Sequence, residues 1–209
     1  MADLNVLTGW SRLGNVVGIN DNGQIVGVFL TSENQPHAYL YDDGLMIDLG
    51  TLGGNGSHAY DINNKGQVVG YSQAPGGTTH AFLYENGVMS DLGTLPGTRF
   101  GYALSINENG QVVGFAEGAH SMIPFLYDQG QMVDLNSLIP ADSGWKLQYA
   151  YNINDAGQIV GTGSNINGLG GGFLLTPIPV PEPTPLALLC LCLAGLCVSR
   201  RVRDLFRPD

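Results

Sequence analysis

Residues 19–27 read INDNGQIVG, and this stretch decides the fold because close copies of it return three more times. The copies are INNKGQVVG at 62–70, INENGQVVG at 106–114 and INDAGQIVG at 153–161, so their starts are 43, 44 and 47 residues apart. A regular period of this length is typical of repeat proteins, in which each unit buries its apolar surface against the next. The chain therefore reads as four successive structural units.

Two further motifs recur in step with the first. One is a short apolar and aromatic run, found as HAYLY at 37–41, HAFLY at 80–84, IPFLY at 123–127 and GGFLL at 171–175. The other carries an aspartate, and is found as MIDLGTL at 46–52, MSDLGTL at 89–95 and MVDLNSL at 132–138. Three motifs in a constant order define one unit.

Turn signals inside each unit predict β-strands. Asn22-Gly23 and Asn109-Gly110 lie between short apolar runs, which is the strongest short-range signal for a β-hairpin. Asp43-Gly44 and Asn86-Gly87 mark a second hairpin between the second and third motifs. We therefore predict an all-β fold of repeated antiparallel units, each with two hairpins and so four strands.

The pattern within the strands predicts how the units pack. Residues 81–84 (AFLY) are apolar on both faces of the strand, whereas a half-exposed strand alternates with polar residues. Sheets covered on both faces must stack, and a four-stranded unit of roughly 40 to 50 residues is typical of a propeller blade. We expect a small propeller-like ring of about four blades, with an open curved stack as the alternative.

The two ends of the chain indicate how such a ring would close. The fourth unit lacks an aspartate motif after Leu175, while residues 1–7 (MADLNVL) match residues 132–138 in type. We expect residues 3–7 to pair beside the strand of Phe173 and complete the fourth blade. Closure would remove two exposed sheet edges.

Taken together, INxxGQVVG, HAFLY and DLGTLGG resemble the bacterial extracellular repeat family called HAF repeats, over about residues 3–175. The resemblance implies an exported repeat domain and no particular activity.

The composition changes at the C-terminus. We divide the chain into a repeat domain, residues 1–178, and a tail, residues 179–209. The tail begins with a Pro-Glu-Pro box at Val180, Pro181, Glu182 and Pro183. A short apolar helix follows, marked by Leu186, Leu189, Leu191, Leu193, Leu196 and Val198, and then a basic cluster of Arg200, Arg201 and Arg203.

The apolar run of the tail is short for a membrane span. As a helix it rises only about 20 Å, below the ~30 Å hydrocarbon core, so a permanent span is marginal. An ordinary short anchor and a buried core helix are the alternatives, and the terminal arginines argue against a core helix.

The order of these parts, with the Pro-Glu-Pro box first, the apolar helix next and the arginines last, resembles the PEP-CTERM sorting signal of Gram-negative bacteria. That resemblance implies a partner, an exosortase, which is a membrane transpeptidase that cuts near the box. The basic flank would stay cytoplasmic, so the repeats would lie outside the inner membrane. The protein would then be anchored in the inner membrane before processing, and afterwards reach the cell envelope or an extracellular matrix such as a biofilm.

The first eighteen residues do not carry a basic region followed by an apolar core, which a secretory signal peptide would show. Met1 falls on the methionine position of the repeat, equivalent to Met46 and Met89. We therefore predict that more repeat or a signal peptide is encoded upstream.

Composition narrows the classes of function. Acidic residues number 18 against 8 basic ones, which disfavours nucleic acid as a partner. Cys190, Cys192 and Cys197 all lie in the tail, so neither a disulfide framework nor a zinc site is predicted. No catalytic motif is recognised, and we predict no enzyme activity, no cofactor and no metal.

Three groups of polar residues are candidates for a site. The NDNG loops offer oxygen ligands for calcium, but Lys65 enters the equivalent loop and a distal glutamate is missing, which favours turn chemistry. His37 and His80 are replaced by Ile123 and Gly171, which favours packing or a strand-edge hydrogen bond over catalysis. The repeated aspartate of MxDLG, at Asp3, Asp48, Asp91 and Asp134, favours a structural bond to a turn amide.

Residues without counterparts in other units are better candidates for specific binding. They are Trp10, Arg12, Arg99, Trp145, Lys146 and Tyr149. Exposed tryptophan and tyrosine faces are what stacking on sugar rings would use. The leading interpretation is a non-catalytic exported protein of the cell surface or extracellular matrix. The alternatives are a carbohydrate-binding adhesin module for extracellular polysaccharide, or a polysaccharide-acting enzyme on a propeller scaffold.

Overall fold

The computed structural model describes residues 13–178, which form fifteen β-strands and one short 3-10 helix. Unit one comprises β1 (Leu13–Ile19), β2 (Ile25–Leu30), β3 (Pro36–Asp42) and β4 (Leu45–Asp48). Unit two comprises β5 (Ser57–Ile62), β6 (Val68–Gln73), β7 (Thr79–Glu85) and β8 (Val88–Gly93). Unit three comprises β9 (Phe100–Ile106), β10 (Val112–Glu117), β11 (Met122–Asp128) and β12 (Gln131–Asp134), followed by the 3-10 helix Leu135–Ser137. Unit four comprises β13 (Trp145–Ile153), β14 (Ile159–Asn165) and β15 (Gly170–Leu175).

Within every unit, consecutive strands pair antiparallel. Units one and four form separate sheets, and one parallel bridge from Thr79 to Phe100 links units two and three. The all-β, antiparallel prediction is confirmed, and units one to three are four-stranded as expected. The fourth unit has three strands among the described residues.

A glycine in the second strand of each unit sets its local packing. Gly70 faces Phe82 across the pair β6–β7, and a Cβ at Gly70 would overlap the backbone carbonyl of His58 and approach the Phe82 ring to 2.9 Å. The same glycine recurs at Gly114 and Gly161. The last residue of the GQVVG motif therefore lets the first and third strands close over the second.

The core consists of three hydrophobic clusters, one between each pair of neighbouring units. Between units one and two, Val26 and Leu40 pack in one cluster with Ile62, Val68 and Phe82. Equivalent clusters join unit two to unit three and unit three to unit four. The expected stacking of units through both sheet faces is therefore present at these three junctions.

The expected ring is not found among residues 13–178. Ile19 on the first unit and Leu174 on the fourth are exposed, whereas their counterparts at the internal junctions are buried or, for Leu83, half-buried. Among the described residues, both sheet faces are thus covered only in the inner units, because the first and last units each have a neighbouring unit on one side. The proposed closing strand, residues 3–7, lies outside the described residues.

Candidate functional site

The NDNG-type loops form side-chain-stabilised turns. In unit two, Asn63 Oδ1 accepts hydrogen bonds from the backbone N–H groups of Lys65 at 3.1 Å and Gln67 at 3.0 Å. Gly66 takes φ +75°, the left-handed conformation that the repeated glycine of this loop allows. The turn interpretation of these loops is therefore confirmed.

The same asparagines also connect neighbouring units. The side-chain amide of Asn20 donates to the backbone oxygen of Asn63, that of Asn63 to Asn107, and that of Asn107 to Asn154, each at 3.0 Å. We call Asn20, Asn63, Asn107 and Asn154 the asparagine ladder. Each rung joins equivalent residues of successive units.

A second row of hydrogen bonds runs beside the ladder. The backbone N–H of Asp21 donates to Asn64 Oδ1 at 2.8 Å, and that of Glu108 donates to Asp155 Oδ1 at 2.9 Å. The backbone N–H of Asn64 likewise donates to Glu108 Oε1 at 2.7 Å. The second side chain of the loop thus accepts a backbone donor across the junction at Asn64, Glu108 and Asp155. Within residues 13–178, no cluster of three or more His, Cys, Asp or Glu side chains could hold a metal ion.

The repeated aspartates and histidines interact with each other. His37 Nδ1 lies 2.9 Å from Asp48 Oδ2, while Asp48 Oδ1 accepts the backbone N–H of Gly50 at 2.8 Å. His80 and Asp91 repeat both contacts in unit two, with Gly93 as the turn donor. In unit three Asp134 Oδ1 accepts the backbone N–H of Asn136 at 2.8 Å. The predicted bond from this aspartate to a turn amide is confirmed in three units, and Asp3 lies outside the described residues.

A continuous row of aromatic rings crosses units two to four. We call it the aromatic ribbon, and its members are His58, Tyr60, Tyr71, Tyr102, Phe115, Tyr149 and Tyr151. Within a unit, His58 and Tyr71 stack nearly parallel at 4.7 Å between centroids and Tyr102 and Phe115 at 4.9 Å, while Tyr60 is tilted by 46° against Tyr71. Rings of adjacent units meet edge to face, as Tyr71 and Tyr102 do at 5.1 Å.

The ribbon lies on the first and second strands of units two and three and on the first strand of unit four. A β-bulge in each of these first strands changes the side-chain alternation. The register of β5 against β6 shifts between Ala59 and Asp61, so Tyr60 is the extra residue. In β13 the register shifts twice, and Tyr151 is one of the two extra residues. A bulge re-aims side chains that alternation would separate. Tyr60 and Tyr151 are consequently exposed beside the half-buried rings.

Partial burial changes the titration of the ribbon. Desolvation, followed by the nearby hydroxyls of Tyr60 and Tyr102, raises the pKa of Tyr71 to about 12. Burial, then the carboxylate of Glu117 and the hydroxyl of Tyr60, also raises the pKa of Tyr102. Burial lowers the pKa of the His58 imidazole. Near neutral pH these environments favour uncharged rings, so the ribbon presents an apolar surface with hydroxyl groups.

The residues singled out as lacking counterparts have different surroundings. Tyr149 was wrongly placed in that group, because strand register makes it equivalent to Tyr102 and His58. The guanidinium of Arg99 lies 5.9 Å from the ring centre of Phe100. Trp145 and Lys146 are exposed at the start of β13. Trp10 and Arg12 lie outside the described residues.

The predicted elements of the tail also lie outside the described residues: the box at Val180, Pro181, Glu182 and Pro183, the apolar run 186–198, and the arginines 200, 201 and 203. Residues 13–178 contain no helix of the length and apolarity that crossing a bilayer requires.

Comparison with known proteins gives matches of two kinds. Residues 179–201 match the PEP-CTERM protein-sorting motif. TolB from Acinetobacter baumannii, a β-propeller neighbour, has a TM-score of 0.50 and 14% sequence identity over 79% of this chain. The chain spans 44% of that TolB chain, and at this identity the likeness concerns the fold alone. No curated protein matches the chain.

The match to the sorting motif implies a cellular route for the chain. A PEP-CTERM signal implies processing by an exosortase-type membrane enzyme and export to the cell envelope or the extracellular space. The molecule is therefore an all-β repeat structure followed, at residues 179–201, by a PEP-CTERM sorting motif.

Proposed function

We propose that this chain is a non-catalytic HAF-type repeat protein of the cell surface or extracellular matrix, released or transferred after its tail is processed. The match of residues 179–201 to the sorting motif carries the proposal, because that motif addresses a protein to the outside of the cell. The repeat domain supports it as well. Its repeated polar side chains engage in turns and junctions, as a structural role requires.

Processing follows from the order of parts in the tail. The apolar run 186–198 holds the chain at the inner membrane while Arg200, Arg201 and Arg203 remain on the cytoplasmic side. The exosortase-type enzyme then cuts near Pro181 and Pro183, which separates the repeat domain from its anchor.

A cleavage experiment in a Gram-negative host tests this assignment. The full chain, provided with a secretory leader, is expressed with and without an exosortase and followed by immunoblotting of membrane and medium fractions. We expect a shortened product outside the membrane fraction only when the exosortase is present. The triple variant P181A/E182A/P183A should remain full-length and membrane-associated, whereas Pro140→Ala, outside the box, should be processed normally. Normal processing of the triple variant would contradict the proposal.

The aromatic ribbon favours a second candidate function, binding of an extracellular polysaccharide. Sugar rings stack on aromatic faces, and hydroxyl groups of tyrosines next to those faces supply hydrogen bonds. Tyr60 and Tyr151 are the most exposed rings of the ribbon. A row of rings crossing three units is suited to an extended chain rather than to a single sugar.

Retardation in native gels that contain the host's exopolysaccharide measures this binding. We expect Tyr60→Ala and Tyr151→Ala to weaken retardation, while Tyr41→Ala, a half-buried tyrosine outside the ribbon, has no effect. Equal retardation of all three variants would exclude the ribbon as the binding surface. Shortening of the polysaccharide during the assay would instead indicate the enzyme alternative.

A further inference from the structure

Each internal junction joins two different sheet faces. We call the sheet face that packs on the following unit the trailing face, and the face that packs on the preceding unit the leading face. The trailing face carries the valine equivalent to Val26, and the leading face carries the isoleucine equivalent to Ile62. Val26 and Ile62 share one core cluster, Val69 and Ile106 share the second, and Val113 and Ile153 share the third. Three junctions thus repeat one pairing of a trailing face with a leading face.

At the two ends of the described stack, the leading face of unit one and the trailing face of unit four are exposed. On the leading face of unit one, Ile19 is 68% exposed, whereas its equivalent Ile62 is 6% exposed. On the trailing face of unit four, Val160 is 44% and Leu174 58% exposed, whereas the equivalent Val69 is fully buried. Within the part of the chain that the structure describes, large aliphatic side chains at these positions pack against a neighbouring unit in every internal junction and are exposed at the two ends.

The leading face of unit one also has a shape that a trailing face could fill. It contains a shallow apolar depression of about 300 Å³, lined by Val16, Val17, Gly18, Ile19 and Ile25. The trailing residues that pack against the corresponding face of unit two are Val26 and Leu40. Their equivalents on unit four are Val160 and Leu174.

Hydrogen bonding at the two ends is complementary as well. Asn154 donates from its side-chain amide to Gln158 at 2.8 Å, but within residues 13–178 its second amide hydrogen has no acceptor. In each of the three preceding units, the equivalent amide hydrogen is donated to the backbone carbonyl of the asparagine in the next unit. The carbonyl of Asn20 accepts the turn bond from Gly23 at 3.0 Å and is the one ladder carbonyl, among these residues, without a second donor.

We propose that the trailing face of unit four packs on the leading face of unit one in a second copy of this chain, so that copies stack head to tail. The contact would extend the asparagine ladder from Asn154 of one copy to Asn20 of the next. Because the two faces differ, the interface is heterologous, and each copy keeps one face free for another partner unless the assembly closes. At this contact the backbone N–H of Asp155 would donate to the carboxylate of Asp21, as the backbone N–H of Glu108 donates to Asp155 Oδ1 inside the chain.

Cysteine cross-linking distinguishes a second copy from closure within one chain. All chains carry Cys190, Cys192 and Cys197 replaced by serine, and are purified at full length in detergent. In the internal junction the backbone N–H of Asp21 lies 2.8 Å from Asn64 Oδ1, so D21C/N64C should form a disulfide within one chain and serves as the geometric control. The corresponding contact between copies pairs position 155 with position 21.

On oxidation, an equimolar mixture of Asp21→Cys and Asp155→Cys chains should give a disulfide-linked pair. Either variant oxidised alone should give roughly tenfold less of the disulfide-linked pair. The double variant D21C/D155C should give species of two or more chains. A double variant that forms its disulfide only within single chains would overturn the proposal in favour of ring closure. A mixture that cross-links no better than the separate chains would overturn it altogether.

Sedimentation velocity measures self-association of the chain, and variants at the exposed apolar residues test their part in the same contact. Ile19→Lys and Val160→Lys change residues that are exposed in the single chain, so the fold should persist by circular dichroism. Each should weaken self-association on the order of tenfold, because a charge enters a buried contact. Val88→Lys, at an exposed position of β8, should associate like the unmodified chain. Association unchanged by both end variants would contradict head-to-tail stacking.

Discussion

The side-chain amide of Asn63 donates a 3.0 Å hydrogen bond to the backbone oxygen of Asn107, the residue at the same position in the next unit. Asn63 is buried, and the other hydrogen bonds of its side chain are made within its own loop. One side chain therefore stabilises a turn and a junction together. This dual use explains why the asparagine is present in all four copies of the motif, since no other side chain offers an acceptor and two donors in so small a volume.

Replacing Asn63 by alanine should destabilise the fold by about 3 kcal/mol, because several buried hydrogen-bonding groups lose their partner at once. Urea unfolding followed by circular dichroism measures the change. Asn154→Ala is the matched control, since that residue is exposed and makes no onward rung. A loss for Asn154→Ala as large as that for Asn63→Ala would show that the junction bond contributes nothing.

Gly70→Ala should be severely destabilising, by at least about 3 kcal/mol, because the added methyl group overlaps the carbonyl of His58 inside a packed sheet. Gly172→Ala provides the comparison, as the nearest atom to its new methyl group is 3.7 Å away. The control should change stability by less than about 1 kcal/mol. Similar melting temperatures for the two variants would contradict the described packing of β5 on β6.

His58 should make the fold sensitive to acid. Its pKa in the folded protein is lowered by burial below the ordinary 6.5, so the folded state favours the neutral ring. That contribution is present above pH 6.5 and is lost as the pH falls through the lowered pKa. His58→Tyr, which introduces the residue of units three and four, should reduce the decrease in unfolding free energy between about pH 6.5 and pH 5. Identical pH profiles for the two proteins would exclude His58 as the source.

Tyr71 should make the stability of the fold decrease as the pH rises in the alkaline range. Its folded pKa is raised from 10.0 to about 12, so stability is retained below pH 10 and lost as the pH rises toward 12. Tyr71→Phe keeps the ring but removes the ionisable hydroxyl. Absorbance titration of phenolate should lose one late-titrating group, and the variant should lose less unfolding free energy above pH 10. A variant with the same number of late-titrating groups would contradict this placement of Tyr71.

Repeated signals made the strands and turns predictable. Asn22-Gly23 and Asn86-Gly87 lie at the hairpins that their sequence indicates, and the aspartates of MxDLG bind turn amides as expected. These features depend on neighbours a few residues away along the chain. Local chemistry in a repeated context is thus enough to assign them.

The ladder and the ribbon were less accessible from the sequence. An asparagine that stabilises its own loop gives no local indication that its second amide hydrogen is donated to a residue 44 positions later. The ribbon depends on bulges at Tyr60 and Tyr151, which break the alternation that sequence patterns assume. A signal for both did exist in the sequence, since Asn recurs in four copies and Tyr102 and Tyr149 occupy one repeat position.

The rungs of the ladder keep one length although the copies of the motif are spaced 43, 44 and 47 residues apart. The longer spacings are therefore accommodated between the loops, and the contacts between neighbouring units are unchanged. Duplication or loss of a whole segment by recombination would regenerate a complete set of complementary contacts at once. Such a gene can vary the reach of its product in discrete steps, with no new surface having to evolve.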